Sequence, residues 1–350
     1  MTKKVFRYLL ILSVFAIAFG CGKKDDKKPE VKQEQNSINT EAYNNLEKVN
    51  LGGNVTLKYQ FKKGDKFSYR LTTITLSNQT IQADSLINNK SNQTTTYTFD
   101  FNVNNIGKDN VADVGVTISS MKIDANINGQ KVVYDSKASN SPQTKAQFVE
   151  YETITNTPFK AKIDAQGNVL DILGIDKILN KLLAAQPSKQ KLTADQKNNL
   201  SRSIAQVLQP ITQLIFKEVP DKPLSKDSSW TKQYPGNLAV FQMTNTAKYT
   251  VQDFVKVNGV TAAKLGAALS VKWSGNKQAS ENGITYNFSD PKINGGGIIL
   301  FGVDNGKIIK SETSTNVEMN VVIESKDASQ KTKKTTRKDV TSNRNIVELI

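Results

Sequence analysis

The chain has 350 residues, no histidine, a single cysteine (Cys21) and a formal net charge of +15. Without histidine there is no imidazole general base, no histidine metal ligand and no His-dependent nucleophilic triad. One cysteine forms no intrachain disulfide, so the fold must rest on its core, and 37% hydrophobic residues suffice for one large or two ordinary domains.

The N-terminus is basic at Lys3, Lys4 and Arg7 and apolar from Tyr8 to Phe19, closing on Ala18-Phe19-Gly20-Cys21. A positive head, a short apolar middle and small residues before a cut make a secretory signal. About a dozen apolar residues fall short of the roughly twenty that a transmembrane helix needs. Ala18, Phe19, Gly20 and Cys21 resemble the lipobox of bacterial lipoproteins. That resemblance implies cleavage after residue 20, a diacylglycerol thioether on the Cys21 sulfur and an N-acyl chain such as palmitate. More than one chain is what makes such anchoring stable. The expected destination is the outer membrane, on its periplasmic face or at the cell surface. Cys21-Gly22-Lys23-Lys24-Asp25-Asp26 also resembles the lysine-plus-paired-acid signal that sends some Gram-negative lipoproteins to the surface. Lys24, Asp25 and Asp26 are therefore a candidate export signal.

Taking Lys3, Lys4 and Arg7 from +15 leaves +12, and six basic residues lie between Lys326 and Lys338. In an exported chain, lysines without interleaved aromatics read as solvated surface or as a contact with anionic lipid, not as a nucleic-acid site.

Residues 21–50 are polar and nearly empty of apolar side chains, the composition of a flexible tether. From Val55 to Ile163 the pattern has period two. Leu57-Lys-Tyr59-Gln-Phe61, Phe67 to Ile74, Tyr97 to Val103, Val114 to Ile118 and Met121 to Ile123 read as half-buried strands. Asn128-Gly129 predicts a tight hairpin. Ile172, Ile175, Ile178, Leu179, Leu182 and Leu183 recur at helical spacing, and Thr193-Ala-Asp-Gln196 has the form of a capping box. Pro210 should kink or split the second helix. A helical insert is thus expected over about 172–217, packed on a sheet or lying over a cavity. Strands return at Ala247 to Val251, Phe254 to Val257, Ala268 to Trp273, Ile284 to Phe288, Ile298 to Phe301 and Asn316 to Ile323. The lysine-rich tail after Lys326 reads as loose, with Ile346 to Ile350 available for a final strand.

The two strand regions echo one another. Lys63-Gly64-Asp65-Lys66-Phe67 resembles Ser225 to Trp230, and Phe159 to Val169 resembles Leu300 to Ile308. Duplication and chance recurrence of hairpins both remain open on this pattern.

No constellation reads as a catalytic site. Gly295-Gly296-Gly297 lacks the lysine and helix of a phosphate-binding loop and reads as a loop before a buried strand. Asp164 and Asp304 read as acceptors for turn amides. No loop gathers the several acids that calcium needs, and Trp230 and Trp273 read as core. No cofactor, metal or enzyme activity is expected. Leu57 to Phe67, Pro158 to Leu170 and the approach to Trp230 resemble an uncharacterised family of bacterial exported lipoproteins, which implies export and a β-rich fold.

The expected fold is α+β: residues 51–350 form a large curved antiparallel β-sheet, a half-barrel in its open form, with the helical insert packed on it. The leading expectation for function is non-catalytic binding of a hydrophobic ligand or lipid on a concave sheet face. The alternative is a structural or assembly partner of an outer-membrane protein complex.

Overall fold

The computed structural model describes residues 38, 40–185, 192–326 and 329–350. Helix α1 spans Glu41–Asn44, and the first strands are β1 (Val55–Thr56), β2 (Lys66–Gln82), β3 (Leu86–Ile106), β4 (Ala112–Ile127) and β5 (Gln130–Asp135). Two short helices follow, α2 (Pro142–Gln147) and α3 (Val149–Ile154), then β6 (Phe159–Ile163) and β7 (Val169–Leu173). Helices α4 (Asp176–Ala184) and α5 (Ala194–Ile215) precede β8 (Pro223–Leu224), β9 (Ser229–Leu238), β10 (Phe241–Val257) and β11 (Val260–Ser274). The chain ends in β12 (Gln278–Glu281), β13 (Ile284–Phe288), β14 (Lys292–Gly302), β15 (Lys307–Lys326) and β16 (Thr332–Leu349).

All pairings of the main sheet are antiparallel, and its order is β7-β6-β4-β3-β2-β16-β15-β14-β11-β10-β9, unclosed at both ends. This is the α+β, half-barrel architecture expected from the alternating pattern.

The order also resolves the internal echo. Strands β2, β3, β4, β6 and β7 recur as β9, β10, β11, β14 and β15 in the same spatial sequence. The details repeat as well. The Gly64 amide donates to the Val103 carbonyl and the Val103 amide to Asp65; the Asp227 amide donates to Val251 and the Val251 amide to Ser228. Gly64 and Asp227 both have positive φ, 88° and 66°. Phe67 stacks on Phe101 at 5.1 Å, and Trp230 stacks on Tyr249 at 5.3 Å. Each half bulges at the matching residue, Asn104 in β3 and Gln252 in β10, which the register skips. Across each bulge lies a glycine, Gly115 or Gly266, with the Asn104 or Gln252 side chain over it. The two halves are one structural repeat, each with an insert between its third and fourth strands: β5, α2 and α3 in the first, β12 and β13 in the second.

Several expectations are corrected. The tail beyond Lys326 is not loose: from Thr332 it is β16, an 18-residue strand paired to β15 on one side and β2 on the other, joining the halves. Gly295, Gly296 and Gly297 lie within β14, opposite Leu269, Ala268 and Ala267 of β11, not in a loop. Leu57 to Phe61 alternates yet is not a strand of the sheet. Its amides bond to turns instead, Tyr59 to Ala165 and Gln60 to Gly306. Ile172 belongs to β7, and α4 starts only at Asp176. Pro210 does not split α5; the carbonyl that loses its partner belongs to Gln206, an exposed residue. The capping box at Thr193 and Gln196 forms as expected. Asn128 and Gly129 turn with φ of 51° and 87°. Residues 41–49 of the expected tether are held against the sheet at points: Tyr43 is 2% exposed, the Lys256 amide donates to Glu47 and the Val49 amide to Phe254.

The main core fills the concave face toward the Asp164–Gly167 and Asp304–Gly306 turns. Here α4, α5 and Phe216 cover Tyr69, Phe99, Phe101, Val251, Leu265 and Phe301. Burying each such side chain contributes about 1.5–3 kcal/mol. A smaller cluster on the convex face seats Tyr43 on Val255, Ala262, Ile298 and Leu300.

A candidate binding surface on the concave face

Strand β15 runs about 65 Å at ~3.3 Å per residue over its 20 residues, whereas the 22-residue α5 is about 33 Å long. The helices therefore cover only part of the concave face. Beyond them, β2 and β16 face each other across a polar ladder. Thr73 donates to Asn345 at 3.0 Å, Thr75 to Asn343 at 2.8 Å, and Gln79 to Asp339 at 2.9 Å, with Ser77 and Thr341 3.4 Å apart. Arg337 sits 2.8 Å from Asp339. Thr75, Thr341 and Asp339 are buried although the wall they line is polar.

Toward the open end the concave face turns apolar again at Leu238, Phe241, Met319 and Val321. Phe241 packs edge-on against Trp273 at 5.1 Å and against Phe288 at 6.2 Å. The Lys277 ammonium lies 5.4 Å above the Trp273 ring. Beside this cluster is a cleft of about 500 Å³ at the ends of β9, β10 and β11. Met243, Trp273 and Gly236 share the concave face by register, whereas Gln242, Lys272 and Pro235 point to the opposite face, so the cleft lies around the strand ends. The volume falls in the range of small-molecule sites. Further along the same wall, burial pushes the Tyr234 and Tyr249 phenols up, with Glu218 adding to both. Both phenols stay protonated at neutral pH, so they serve as hydrogen-bond donors rather than bases.

A second, smaller space of about 30 Å³ lies between α3, α4 and α5, lined by Ile154, Ile178, Leu182, Ile204 and Leu208. Glu150 borders it. Its Oε1 is buried without a hydrogen-bond partner, and burial pushes the carboxyl up to about 7.

Cys21, the lipobox residues Ala18, Phe19 and Gly20, and the candidate signal Lys24, Asp25 and Asp26 lie outside the described residues. Asp164 accepts from the Gln166 and Asn168 amides, as expected of a turn acceptor. Asp304 instead reaches across to the Thr261 amide, while Asn305 bonds within its own turn. Trp230 is core, but Trp273 is half-buried at the cleft. Met243, Trp273 and Glu150 were not legible as a group, since only the register and helix packing bring them to cavities. Among the described residues no cluster of three or more acids or cysteines is arranged to hold a metal ion, and no helix is long and apolar enough to cross a membrane.

A family model described as a family of unknown function (DUF6263) matches residues 109–300, and the chain belongs to that family. No curated protein matches. Among solved structures, lipovitellin is similar at 10% identity over 83% of this chain, with a TM-score of 0.41; the chain spans about a quarter of lipovitellin's length. An outer membrane channel from Pseudomonas putida is similar at 7% identity, covering 83% of this chain and 97% of the channel, with a TM-score of 0.20. A DUF1329 family protein from Desulfovibrio piger is similar at 6% identity, covering 77% and 83%, with a TM-score of 0.12. Likenesses this distant bear on neither site nor activity.

Proposed function

We propose that this is a lipid-anchored envelope protein that binds a hydrophobic ligand with a polar end, such as a lipid, on the concave face of its sheet, without chemistry. The observation that carries the reading is the apolar patch at the open end, where Phe241, Trp273 and Met319 offer apolar contact and the Lys277 ammonium, 5.4 Å above the Trp273 ring, offers a polar group. Such a mixture suits an amphiphile. The anchor belongs to the proposal through Cys21 and its Ala18-Phe19-Gly20 approach, and the location is the outer membrane, on either face. The alternative, recruitment of an assembly partner by strand addition, is less well served, because both sheet edges are blunted. Edge strand β9 carries Lys232 and Pro235, and at β7 the Val169 amide and carbonyl are already bonded to Gln213 and Gln209 of α5.

Native mass spectrometry of the full chain extracted from its own envelope tests the reading. A bound lipid-sized mass is expected, lost in Trp273→Ala while the protein stays folded. Finding only unliganded protein would sink the binding claim. The intact mass of the polypeptide separately checks for acyl chains on Cys21.

A further inference from the structure

Among the described residues, four of the seven large apolar side chains left exposed sit at the open end of the first half: Leu86 at 58%, Ile87 and Ile127 at 46%, and Val133 at 54%. Scattered exposed leucines are ordinary, but Leu86, Ile87 and Ile127 fall at hairpin ends, where polar residues are the rule. Leu86 and Ile87 begin β3 directly after the β2 turn and point to opposite faces, so the tip is apolar on both sides. Ile127 ends β4, the next strand over, and follows the register onto the face of Ile87.

The other neighbour of β2 makes the same end basic. Strand β16 pairs Thr336 with Gln82, so Lys333 and Lys334 project past the end of β2, with Lys326 of β15 beside them. Lys90 and Lys131 flank the apolar tip on β3 and β5. Lys333 pairs with Asp84 and Lys334 with Glu324, but these are exposed pairs of little strength, readily exchanged for other anions.

We infer that this open end is a docking surface for an anionic bilayer: Leu86, Ile87 and Ile127 enter the boundary between headgroups and acyl chains while the surrounding lysines meet lipid phosphates. Aliphatic side chains ringed by lysines are the composition of an interfacial contact. Its charge complements an acidic surface and disfavours a second copy of the same basic tip. The inference rests on the envelope reading only in needing a bilayer at hand, and it does not depend on the lipid anchor.

The full chain carrying Cys21→Ser, which bears no thioether lipid, is mixed with vesicles of phosphatidylcholine alone and of phosphatidylcholine with phosphatidylglycerol, then sedimented. Binding to the phosphatidylglycerol vesicles is expected, weakening as salt is raised. Leu86→Asn with Ile87→Asn should cut partitioning about tenfold or more at unchanged circular dichroism. Replacing Lys326, Lys333 and Lys334 by glutamine should remove the preference for anionic vesicles. The inference is overturned if neither vesicle binds the Cys21→Ser chain or if the double variant binds as well as its parent. It is equally overturned if light scattering shows a dimer that the double variant breaks.

Discussion

The Tyr59 hydroxyl donates to the Lys217 carbonyl at 2.9 Å and accepts from the amide of the same residue at 2.7 Å. One phenol thus satisfies both backbone groups of the residue just beyond α5. Its ring is held edge-on by Phe216 and Phe301, and its own amide bonds to Ala165 in the β6–β7 turn. Tyr59 therefore ties the end of the helical insert to the turn end of the sheet. Tyr59→Phe keeps the packing and leaves a donor and an acceptor of Lys217 unmet. A loss of about 2–3 kcal/mol is expected in urea unfolding, with an unchanged slope.

Two glycines separate backbone constraint from side-chain crowding. Gly306 has φ of +60°, and an added Cβ would stand 2.5 Å from the Gln60 amide nitrogen and 2.7 Å from the Lys58 carbonyl oxygen. Backbone does not give way there, so Gly306→Ala should cost about 2–4 kcal/mol. Gly266 has no such φ, and a Cβ there would meet the amide end of the Gln252 side chain, which can swing aside. Gly266→Ala should lie within about 1 kcal/mol of the parent. Thermal melts of the two variants give the comparison; equal losses would contradict it.

These particulars show why the sequence was legible in some places and silent in others. Tyr97 to Val103 alternates because one face meets the core, and Asn128-Gly129 turns because both residues accept positive φ. Strand β16 lacks that signal. Its concave positions are Arg337, Asp339, Thr341, Asn343 and Asn345, the last four bonding across to polar positions of β2 instead of entering an apolar core. Leu57 to Phe61 misleads in the opposite direction. Its alternate residues are buried among rings and turns, so it has a strand's pattern without a strand's partners. The cleft is harder still to foresee, since Met243 and Trp273 become neighbours only through the β10–β11 register.

On the convex face Arg344 Nη2 lies 2.6 Å from Glu312 Oε1, and the Tyr43 hydroxyl donates to the other Glu312 oxygen at 3.4 Å. Glu312 is 3% exposed beneath the N-terminal segment. Removing one partner of a buried ion pair costs about 3–5 kcal/mol. Arg344→Ala is expected near that range. The combined Arg344→Met and Glu312→Leu variant should recover most of the loss, because it leaves no buried charge behind. Chemical denaturation of the two variants decides whether desolvation or simple packing dominates.

Glu150 makes stability depend on pH in a direction opposite to most carboxylates. Burial beside Ile154 and Ile178 pushes its carboxyl up to about 7, whereas in the unfolded chain it titrates near the ordinary glutamate value of about 4.3. Between those values the folded protein holds the proton and the unfolded chain has released it. The contribution is therefore complete below about pH 4.3 and is lost as pH rises through about 7. Solvent reaching the half-buried side chain reduces the effect to about 1–2 kcal/mol. Glu150→Gln keeps the shape and removes the titration, so it should melt close to the parent at about pH 4 and above it at about pH 8. Should the gap between the two proteins stay constant across that span, the Glu150 carboxyl would not be the group that burial holds protonated.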